Sequence, residues 1–397
     1  MPQAGREDDR VDQILSQGPL FLFCLIFMMG IVVVIHEFGH YLAARLYGVA
    51  IESFSVGFGK PLFERRDRRG TRWRVNWIPL GGFVSFLPAS AKADDETAQG
   101  IAGISFDELK PIPKIVVSLA GPFANFVLAT LIFALAYGVF GSPKFEVQIT
   151  HIGEGMPAEE AGLLPGDIIR EINGRPILTG ADATMMVLVS PNKAMRFNVD
   201  RNGQELNLDV IPREIVRPNE FGQVVPQSTA GFSLVHSKFI ERVTYGPIGS
   251  LVEGTAQTGR TIDQTVKMLS RIATGNMSVH AMSGPVGVGD ISRRAVNRVM
   301  EQTQLTSWQK TEQLFWMLMS VCAAVSVGVG FFNLLPLPVL DGGRVVFHAY
   351  EAFTGSKMPS QVEAFALRAS VFLLLLMVVV ITWGDVIETG VFGRGGG

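Results

Sequence analysis

The sequence alternates between long uncharged stretches and polar segments. A helix needs about 20 apolar residues to cross the roughly 30 Å hydrocarbon core of a bilayer. The uncharged stretches predict spanning helices within residues 18–47, 115–143, 313–341 and 364–387. The fourth contains Arg368 near its start, and a long basic side chain can reach the interface from inside an apolar helix. The pattern therefore predicts a polytopic α-helical membrane protein with four spans.

The segment between the second and third spans has the pattern of a folded α+β domain. Asn173-Gly174 and Asn202-Gly203 follow short strand-like runs, which predicts two hairpin turns. Residues 181–189 are predicted to be helical. Further on, apolar residues recur at helical spacing at Ile262, Val266, Leu269 and Ile272. This recurrence predicts an amphipathic helix that rests either on the membrane or on the domain.

The segment between the first two spans contains a predicted strand. Over residues 71–78, Trp73, Val75 and Trp77 alternate with polar residues, which gives the strand an aromatic face. Gly81-Gly82 is expected to end it. An exposed strand edge could hold an extended peptide by main-chain hydrogen bonds. The alternative is an interfacial hairpin that two tryptophans anchor in the membrane surface.

Composition supports the membrane assignment and excludes other classes. Only 18% of the residues are charged, against about 25% in a typical soluble protein. The net charge of −2 gives no support for nucleic-acid binding. The connector from residue 45 to residue 114 carries 11 Lys and Arg residues, whereas the tails carry few. Because positive charge marks the cytoplasmic side, both termini and the inserted domain are predicted to lie outside the cytoplasm.

The first span ends in a motif with metal chemistry, His36-Glu37-Phe38-Gly39-His40. On a helix, residues four apart lie on one face, so both imidazoles can bind the same zinc ion. Glu37 lies beside them, where it can take a proton from water as a general base. The alternative is a histidine pair that is satisfied by hydrogen bonds in a helix bundle. Ionisable side chains at membrane depth are costly, which favours the functional interpretation.

A zinc ion with two imidazoles needs at least one more protein ligand. Asp341 is the best candidate, because Pro336 and Pro338 cannot continue a helix and the backbone must open before it. Such irregular backbone is tolerated at membrane depth where it lines a cavity. His348 is the next candidate. The alternative for Asp341 is that it caps a helix starting at Gly342.

The inserted domain resembles a PDZ domain. The resemblance rests on GMPAEEAGLLPGDIIREING, residues 155–174, of which one copy is visible. It is similar to the PDZ domains of bacterial membrane and periplasmic proteases. By this resemblance, Gly231 and Phe232 would belong to a loop that binds a peptide carboxylate. The same residues could equally form an ordinary surface strand.

The whole chain resembles the site-2 protease family of intramembrane zinc metalloproteases. The motifs are HEFGH in the first span, residues 121–125 (GPFAN) in the second and residues 333–343 (NLLPLPVLDGG) in the third. With one PDZ domain, the resemblance is to the bacterial regulator-of-sigma-E-protease branch. It implies that His36, His40 and Asp341 bind one Zn²⁺ per chain and that Glu37 is catalytic. Asn125 and Asn333 would hold the substrate or assist at the oxyanion, or else join helices.

The resemblance implies a function and a cellular setting. The substrates would be single-span membrane proteins that have already been trimmed on the outer face, such as anti-sigma factors or signal-peptide remnants. The substrate strand would lie along Trp73, Val75 and Trp77. The protein would be a multi-pass protein of the bacterial inner membrane, in contact with lipid, with its PDZ domain and termini in the periplasm. A membrane zinc transporter and a catalytically inactive PDZ scaffold are the alternatives.

These patterns divide the chain into ten predicted segments. In chain order they are a tail (1–17), the first span (18–47), the cytoplasmic β-element and loop (48–114), the second span (115–143), the PDZ domain (144–236), an amphipathic helical connector (237–312), the third span with its broken end (313–341), a loop (342–363), the fourth span (364–387) and a tail (388–397).

Overall fold

The computed structural model describes residues 27–88, 100–218, 224–274 and 307–389. The described chain forms two compact units. The first comprises residues 27–134, 254–262 and 307–382, and the second comprises residues 135–253, 263–274 and 383–389. The predicted N-terminal tail, residues 275–306 of the predicted connector and residues 390–397 of the predicted C-terminal tail lie outside the described residues.

Helices account for most of the first unit, and two short helices belong to the second. In chain order, the helices of the described residues are α1 (Phe27–Leu46), α2 (Pro111–Phe140), α3 (Pro157–Glu160), α4 (Gly180–Leu188), α5 (Pro247–Ala273), α6 (Ser307–Asn333), α7 (Asp341–Thr354) and α8 (Ser360–Thr389). Among the described residues, three helices are long and apolar enough to cross a membrane, and they lie in α1, α2 and α6. These agree with the first three predicted spans. The fourth predicted span falls within α8, and its membrane crossing stays a prediction.

The three long apolar helices approach one another through small residues. A Cβ atom at Gly39 of α1 would overlap the carbonyl oxygen of Ala120 in α2. A Cβ at Gly330 of α6 would lie 3.0 Å from the carbonyl oxygen of Pro122. Small residues allow helix backbones in membrane proteins to come this close, where packing rather than water release drives association. The three helices therefore meet nearly backbone to backbone.

Helix α5 confirms the predicted amphipathic helix. Within the first unit it packs on α2, where the Thr130 hydroxyl donates to the Thr258 hydroxyl oxygen at 3.1 Å. A Cβ at Gly254 would lie 2.7 Å from the carbonyl oxygen of Thr130. This part of the helix thus rests on a spanning helix, an arrangement that the two sequence-based alternatives did not include.

A two-stranded sheet follows α1, formed by β1 (Ile51–Arg66) and β2 (Arg72–Phe86). The predicted strand forms, but Gly81-Gly82 does not end it. A Cβ at Gly82 would lie 2.6 Å from the Ser55 carbonyl oxygen, so glycine lets β2 continue close to β1. Phe54 pairs with Trp73 on one side and Val84 on the other. Residues 82–86 therefore form an edge of this sheet.

The second unit contains the α+β domain predicted from the sequence. Its strands are β3 (Ser142–Ile152), β4 (Ile168–Ile172), β5 (Arg175–Pro176), β6 (Met195–Arg201), β7 (Gln204–Val210), β8 (Arg213–Pro218), β9 (Val224–Thr229) and β10 (Phe232–Val243). The main sheet has the order β10-β3-β4-β6-β7, with β5 paired to β4. Asn173 and Asn202 have φ of 54° and 55°, and the glycine after each also has positive φ, which confirms both predicted hairpin turns.

The core of this domain lies between the sheet and the two short helices α3 and α4. Its largest fully buried side chains include Phe197, Ile149, Leu163 and Ile169. Asp167 is also buried, and its carboxylate accepts hydrogen bonds from Arg201 at 2.7 and 2.8 Å. A buried carboxylate is tolerated when it is paired and hydrogen-bonded in this way. Asp167 of the Pro165-Gly166-Asp167 turn thus has a structural role.

Candidate metal centre and catalytic cavity

Three ionisable side chains converge in the first unit. The Nε2 atom of His36 lies 2.9 Å from Oδ2 of Asp341, and Nε2 of His40 lies 3.3 Å from the same oxygen. The two Nε2 atoms are 3.2 Å apart. All three residues are buried, and they are the group of potential metal ligands found among the described residues. The three predicted ligands are therefore brought together from helices α1 and α7.

The donor set fits zinc. Tetrahedral ligands at about 2.0–2.1 Å from a zinc ion lie about 3.3 Å from one another. The three separations between His36, His40 and Asp341 are close to this value. His40 Nδ1 donates to the Val117 carbonyl oxygen at 2.7 Å, which leaves the Nε2 lone pair free for a metal. Two imidazoles and one carboxylate also leave a coordination position open, as catalytic zinc sites do.

Glycine in α2 makes room for the two imidazoles. A Cβ atom at Gly121 would overlap Nε2 of His40 and would lie 2.8 Å from Nε2 of His36. The rings thus rest directly on the α2 backbone. The GPFAN motif therefore contributes space as well as side chains to the centre.

The broken segment before α7 positions the carboxylate. Helix α7 begins at Asp341, and its N-cap residue Leu340 makes no side-chain capping bond. The Asp341 carboxylate is directed at the histidines instead, so the capping alternative is not observed. Gly343 packs against the turn over residues 337–340, where a Cβ would overlap the Leu337 carbonyl. The prolines and glycines of this motif together open the backbone and fold it back tightly.

Glu37 faces a cavity of about 510 Å³ beside the three candidate ligands. Its Oε2 atom accepts a hydrogen bond from the Val84 backbone N–H at 3.2 Å. The other walls come from residues 83–86 of β2, from residues 117–118 of α2 and from residues 339–344. Metal-assisted hydrolysis of an amide requires a carboxylate beside an open metal position in a cavity. The candidate ligands, Glu37 and this cavity supply that arrangement.

Comparison with known proteins agrees with this chemistry. The model of peptidase family M50 matches residues 24–377. The chain belongs to peptidase family M50. A relative, metalloprotease MmpA of Caulobacter vibrioides, is 33% identical over 402 residues, covering 95% of this chain and 98% of the relative. Another, "Putative zinc metalloprotease Atu1380" of Agrobacterium fabrum, is 30% identical over 374 residues, covering 92% of this chain and 95% of the relative.

Among solved structures, the PDZ domain of an SdrC-like protein from Listeria monocytogenes matches at 18% identity with a TM-score of 0.19. The match covers 23% of this chain and 87% of that one. Family membership and the three apolar helices make this M50 chain a membrane-embedded zinc metalloprotease of the site-2 type. Its α+β domain fits the PDZ domain that the sequence predicts.

The predicted substrate strand of the M50 protease is not a wall of the cavity. Trp73 donates from Nε1 to Asp67 Oδ2 at 3.2 Å and packs on Phe54. Val75 and Trp77 are 44% and 68% exposed, and neither lines the cavity. The wall is the later part of β2, residues 83–86. These residues reach the cavity because β2 pairs closely with β1 at Gly82. No local sequence pattern predicts that contact.

The two asparagines of the motifs occupy different places. Asn333 lines the cavity, and its Nδ2 donates to the Val329 carbonyl oxygen at 3.0 Å. Asn125 is fully buried in α2 and is not among the lining residues. Its side-chain amide instead contacts His36, with Nδ2 3.2 Å from Nδ1 of the ring.

His348 makes contacts away from the candidate ligands. Its Nδ1 atom lies 3.7 Å from Oε2 of Glu351, and its ring packs against Phe106. Lys114 donates to both oxygens of Glu351 at 3.1 Å, which ties α7 to the start of α2. Burial and the neighbouring Lys114 ammonium lower the pKa of the His348 imidazole. The contacts of His348 therefore explain the position of its ring without a metal ion.

In the α+β domain, the predicted carboxylate-binding residues lie where β10 begins. Gly231 has a φ of 81°, and its carbonyl oxygen accepts the Gly153 N–H at 2.8 Å. Phe232 packs its ring on Phe197. Strand β10 lies at the edge of the main sheet, so its outer side has no strand partner among the described residues.

Proposed function

We propose that this M50 protease hydrolyses peptide bonds in or near the membrane segment of single-span proteins that have been trimmed on the outer face. The observation that carries the proposal is the convergence of His36, His40 and Asp341 on a cavity that Glu37 also faces. Anti-sigma factors and signal-peptide remnants are the substrate classes that the resemblance implies. Four spans, a bacterial inner-membrane location and a periplasmic PDZ domain belong to the same proposal.

The chemistry follows from the positions of the side chains. His36, His40 and Asp341 would hold one zinc ion, which supplies a Lewis acid that polarises the scissile carbonyl and acidifies water. Glu37 takes the proton from the attacking water and delivers it to the leaving amine. The hydrogen bond from the Val84 backbone N–H holds the Glu37 carboxylate beside the cavity.

The test uses the purified full-length protein and a single-span substrate. We expect cleavage in or near the membrane segment, loss of cleavage with a zinc chelator, and recovery when zinc is restored. A substrate with an intact outer domain is the control and should be cut more slowly. Failure to cut any single-span substrate, together with zinc flux in proteoliposomes, would favour the transporter alternative.

We further propose that residues 83–86 hold the substrate as an added strand. A peptide in helical form hides its carbonyl groups, so it must be extended before attack, and a sheet edge provides main-chain partners for an extended chain. Residues 82–86 form such an edge, and residues 83–86 line the cavity. Asn333 would contact the substrate from the opposite side.

Disulfide trapping tests the position of this strand. In an inactive variant without native cysteines, Val84→Cys should crosslink to every second position of a cysteine-scanned substrate, because side chains of an extended chain alternate. Val75→Cys, on the exposed face that the sequence favoured, is the matched control. We expect more adduct at position 84 than at position 75 if strand addition holds the substrate. The reverse ratio would assign the substrate to the aromatic face.

For the PDZ domain, we propose that the start of β10 binds a peptide carboxyl terminus exposed by the first cut. The exposed edge of β10 and the sharp bend at Gly231 support this. Fluorescence anisotropy with the full-length protein would compare one peptide with a free and an amidated carboxyl terminus. We expect about tenfold tighter binding of the free acid, as a charge-assisted hydrogen-bond set predicts. Equal binding would favour a filter that excludes large outer domains.

A further inference from the structure

We propose that Asn125 is a positioning residue for the metal centre. Its side-chain oxygen would accept the Nδ1–H of His36 and so fix the tautomer in which Nε2 can bind zinc. The inference rests on the proposed role of His36 as a ligand. In this inference Asn125 hydrogen-bonds to a metal ligand. The resemblance had instead implied that it holds the substrate.

The geometry divides the His36 ring between two partners. Its Nε2 atom faces Asp341 Oδ2 at 2.9 Å and the Nε2 atom of His40 at 3.2 Å. Its Nδ1 atom faces the Asn125 amide at 3.2 Å. Both His36 and Asn125 are buried, at 6% and 0% exposure, so water is a poor substitute for either partner. The ring therefore has one side for the metal and one for Asn125.

The chemistry of imidazole then specifies the required hydrogen bond. A nitrogen that binds a metal uses its lone pair, so the proton of the neutral ring must lie on the other nitrogen. For His36 this is Nδ1, and a buried N–H needs an acceptor. In His40 the same requirement is met by the carbonyl oxygen of Val117, which accepts from Nδ1 at 2.7 Å.

For His36 the available acceptor is the Asn125 amide. Its Oδ1 atom is buried and has no hydrogen-bond partner among the described residues. The nitrogen and oxygen of an amide occupy nearly the same shape, and hydrogen bonding decides between the two orientations. Turning the amide by 180° places the unused oxygen on the Nδ1–H of His36. Helix α2 would then orient both histidines, one through its backbone and one through a side chain.

Contacts with α6 keep Asn125 in place. The Ser326 hydroxyl donates to the Asn125 carbonyl oxygen at 2.8 Å. A Cβ at Gly330 would lie 3.2 Å from the Cβ of Asn125, which shows how closely the two helices pack here. A partner of a ligating histidine works only if its own position is fixed. Asn125 meets this condition.

The experiment measures zinc affinity of the full-length protein by competition with a chromophoric chelator. Asn125→Leu keeps the size and removes the acceptor, whereas Asn125→Asp keeps an acceptor. We expect the leucine variant to bind zinc about 10–100-fold more weakly and the aspartate variant to stay within a few-fold of the native protein, as for other partners of ligating histidines. Thr130→Ala, which removes a hydrogen bond between α2 and α5 away from the histidines, is the control and should bind zinc nearly normally.

A second readout detects the hydrogen bond itself. In the zinc-loaded native protein, the Nδ1–H of His36 should give a slowly exchanging imidazole signal in ¹⁵N-labelled samples, and Asn125→Leu should lose that protection. Zinc affinity and protection unchanged in Asn125→Leu would overturn the inference. An equal loss of affinity in the leucine and aspartate variants would also overturn it, because packing would then be the cause. If the native protein and His36→Ala bind zinc equally weakly, the proposed metal centre itself is wrong.

Discussion

Glu37→Gln should greatly slow proteolysis while zinc stays bound. Glutamine has the same shape, and its amide oxygen can still accept the hydrogen bond from Val84. The three candidate ligands are untouched, so the metal should remain near its native level. What is lost is the ability to accept a proton, and positioned acid–base groups contribute about 10²–10⁴-fold to such reactions. We therefore expect a fall in cleavage rate of this size.

The measurement pairs a gel assay on a single-span substrate with metal analysis of the same preparation. Glu64→Gln is the matched control, because Glu64 lies on β1 and pairs with Arg74 near solvent. It should cut at the native rate. Substantial cleavage by Glu37→Gln would remove Glu37 from the mechanism and leave the zinc-transporter or scaffold alternatives in place.

Asp341→Asn should lower both zinc content and cleavage. The carboxylate is the only anionic member of the three-residue group within the described chain, and its Oδ2 atom lies 2.9 and 3.3 Å from the two imidazole nitrogens. An amide oxygen binds zinc far less well than a carboxylate. Residues that hydrogen-bond to a metal ligand contribute about 10–100-fold to metal affinity. Loss of a ligand itself should therefore lower zinc affinity by at least as much.

Equilibrium dialysis in zinc buffers, followed by elemental analysis, checks this second result. His348→Ala is the control on the same helix, since its ring pairs with Glu351 and Phe106. It should keep the native zinc content. The opposite pattern, with full zinc in Asp341→Asn and little in His348→Ala, would transfer the third ligand to His348.

The convergence of His36, His40 and Asp341 could be predicted because its signals are local. Two histidines four residues apart on a helix must share a face, and prolines before Asp341 must open the backbone there. Bringing Asp341 to the histidines required only that the first and third spans end on the same side. The Asn-Gly turns of the α+β domain were predictable for the same reason, since positive φ at Asn173 and Asn202 is a property of the turn itself.

The cavity wall could not be predicted in the same way. Alternation over residues 71–78 is the strongest local strand signal, yet the edge beside Glu37 is formed by residues 83–86. That placement depends on pairing between residues about 30 positions apart and on a glycine that permits close approach. The role of Asn125 was hidden similarly, because its partner His36 is 89 residues away. Contacts at such separations follow from the fold and produce no periodic pattern in the sequence.

The absence of a side chain at Gly121 has a consequence for how sequence variation at this position should be understood. Alanine is the mildest replacement that the genetic code offers, yet its methyl group would occupy the space of the His40 nitrogen that faces Asp341. Even the most conservative substitution here should therefore disturb the histidines. A survey of natural or laboratory variants should therefore find position 121 behaving as an all-or-none site, although the residue carries no reactive group of its own.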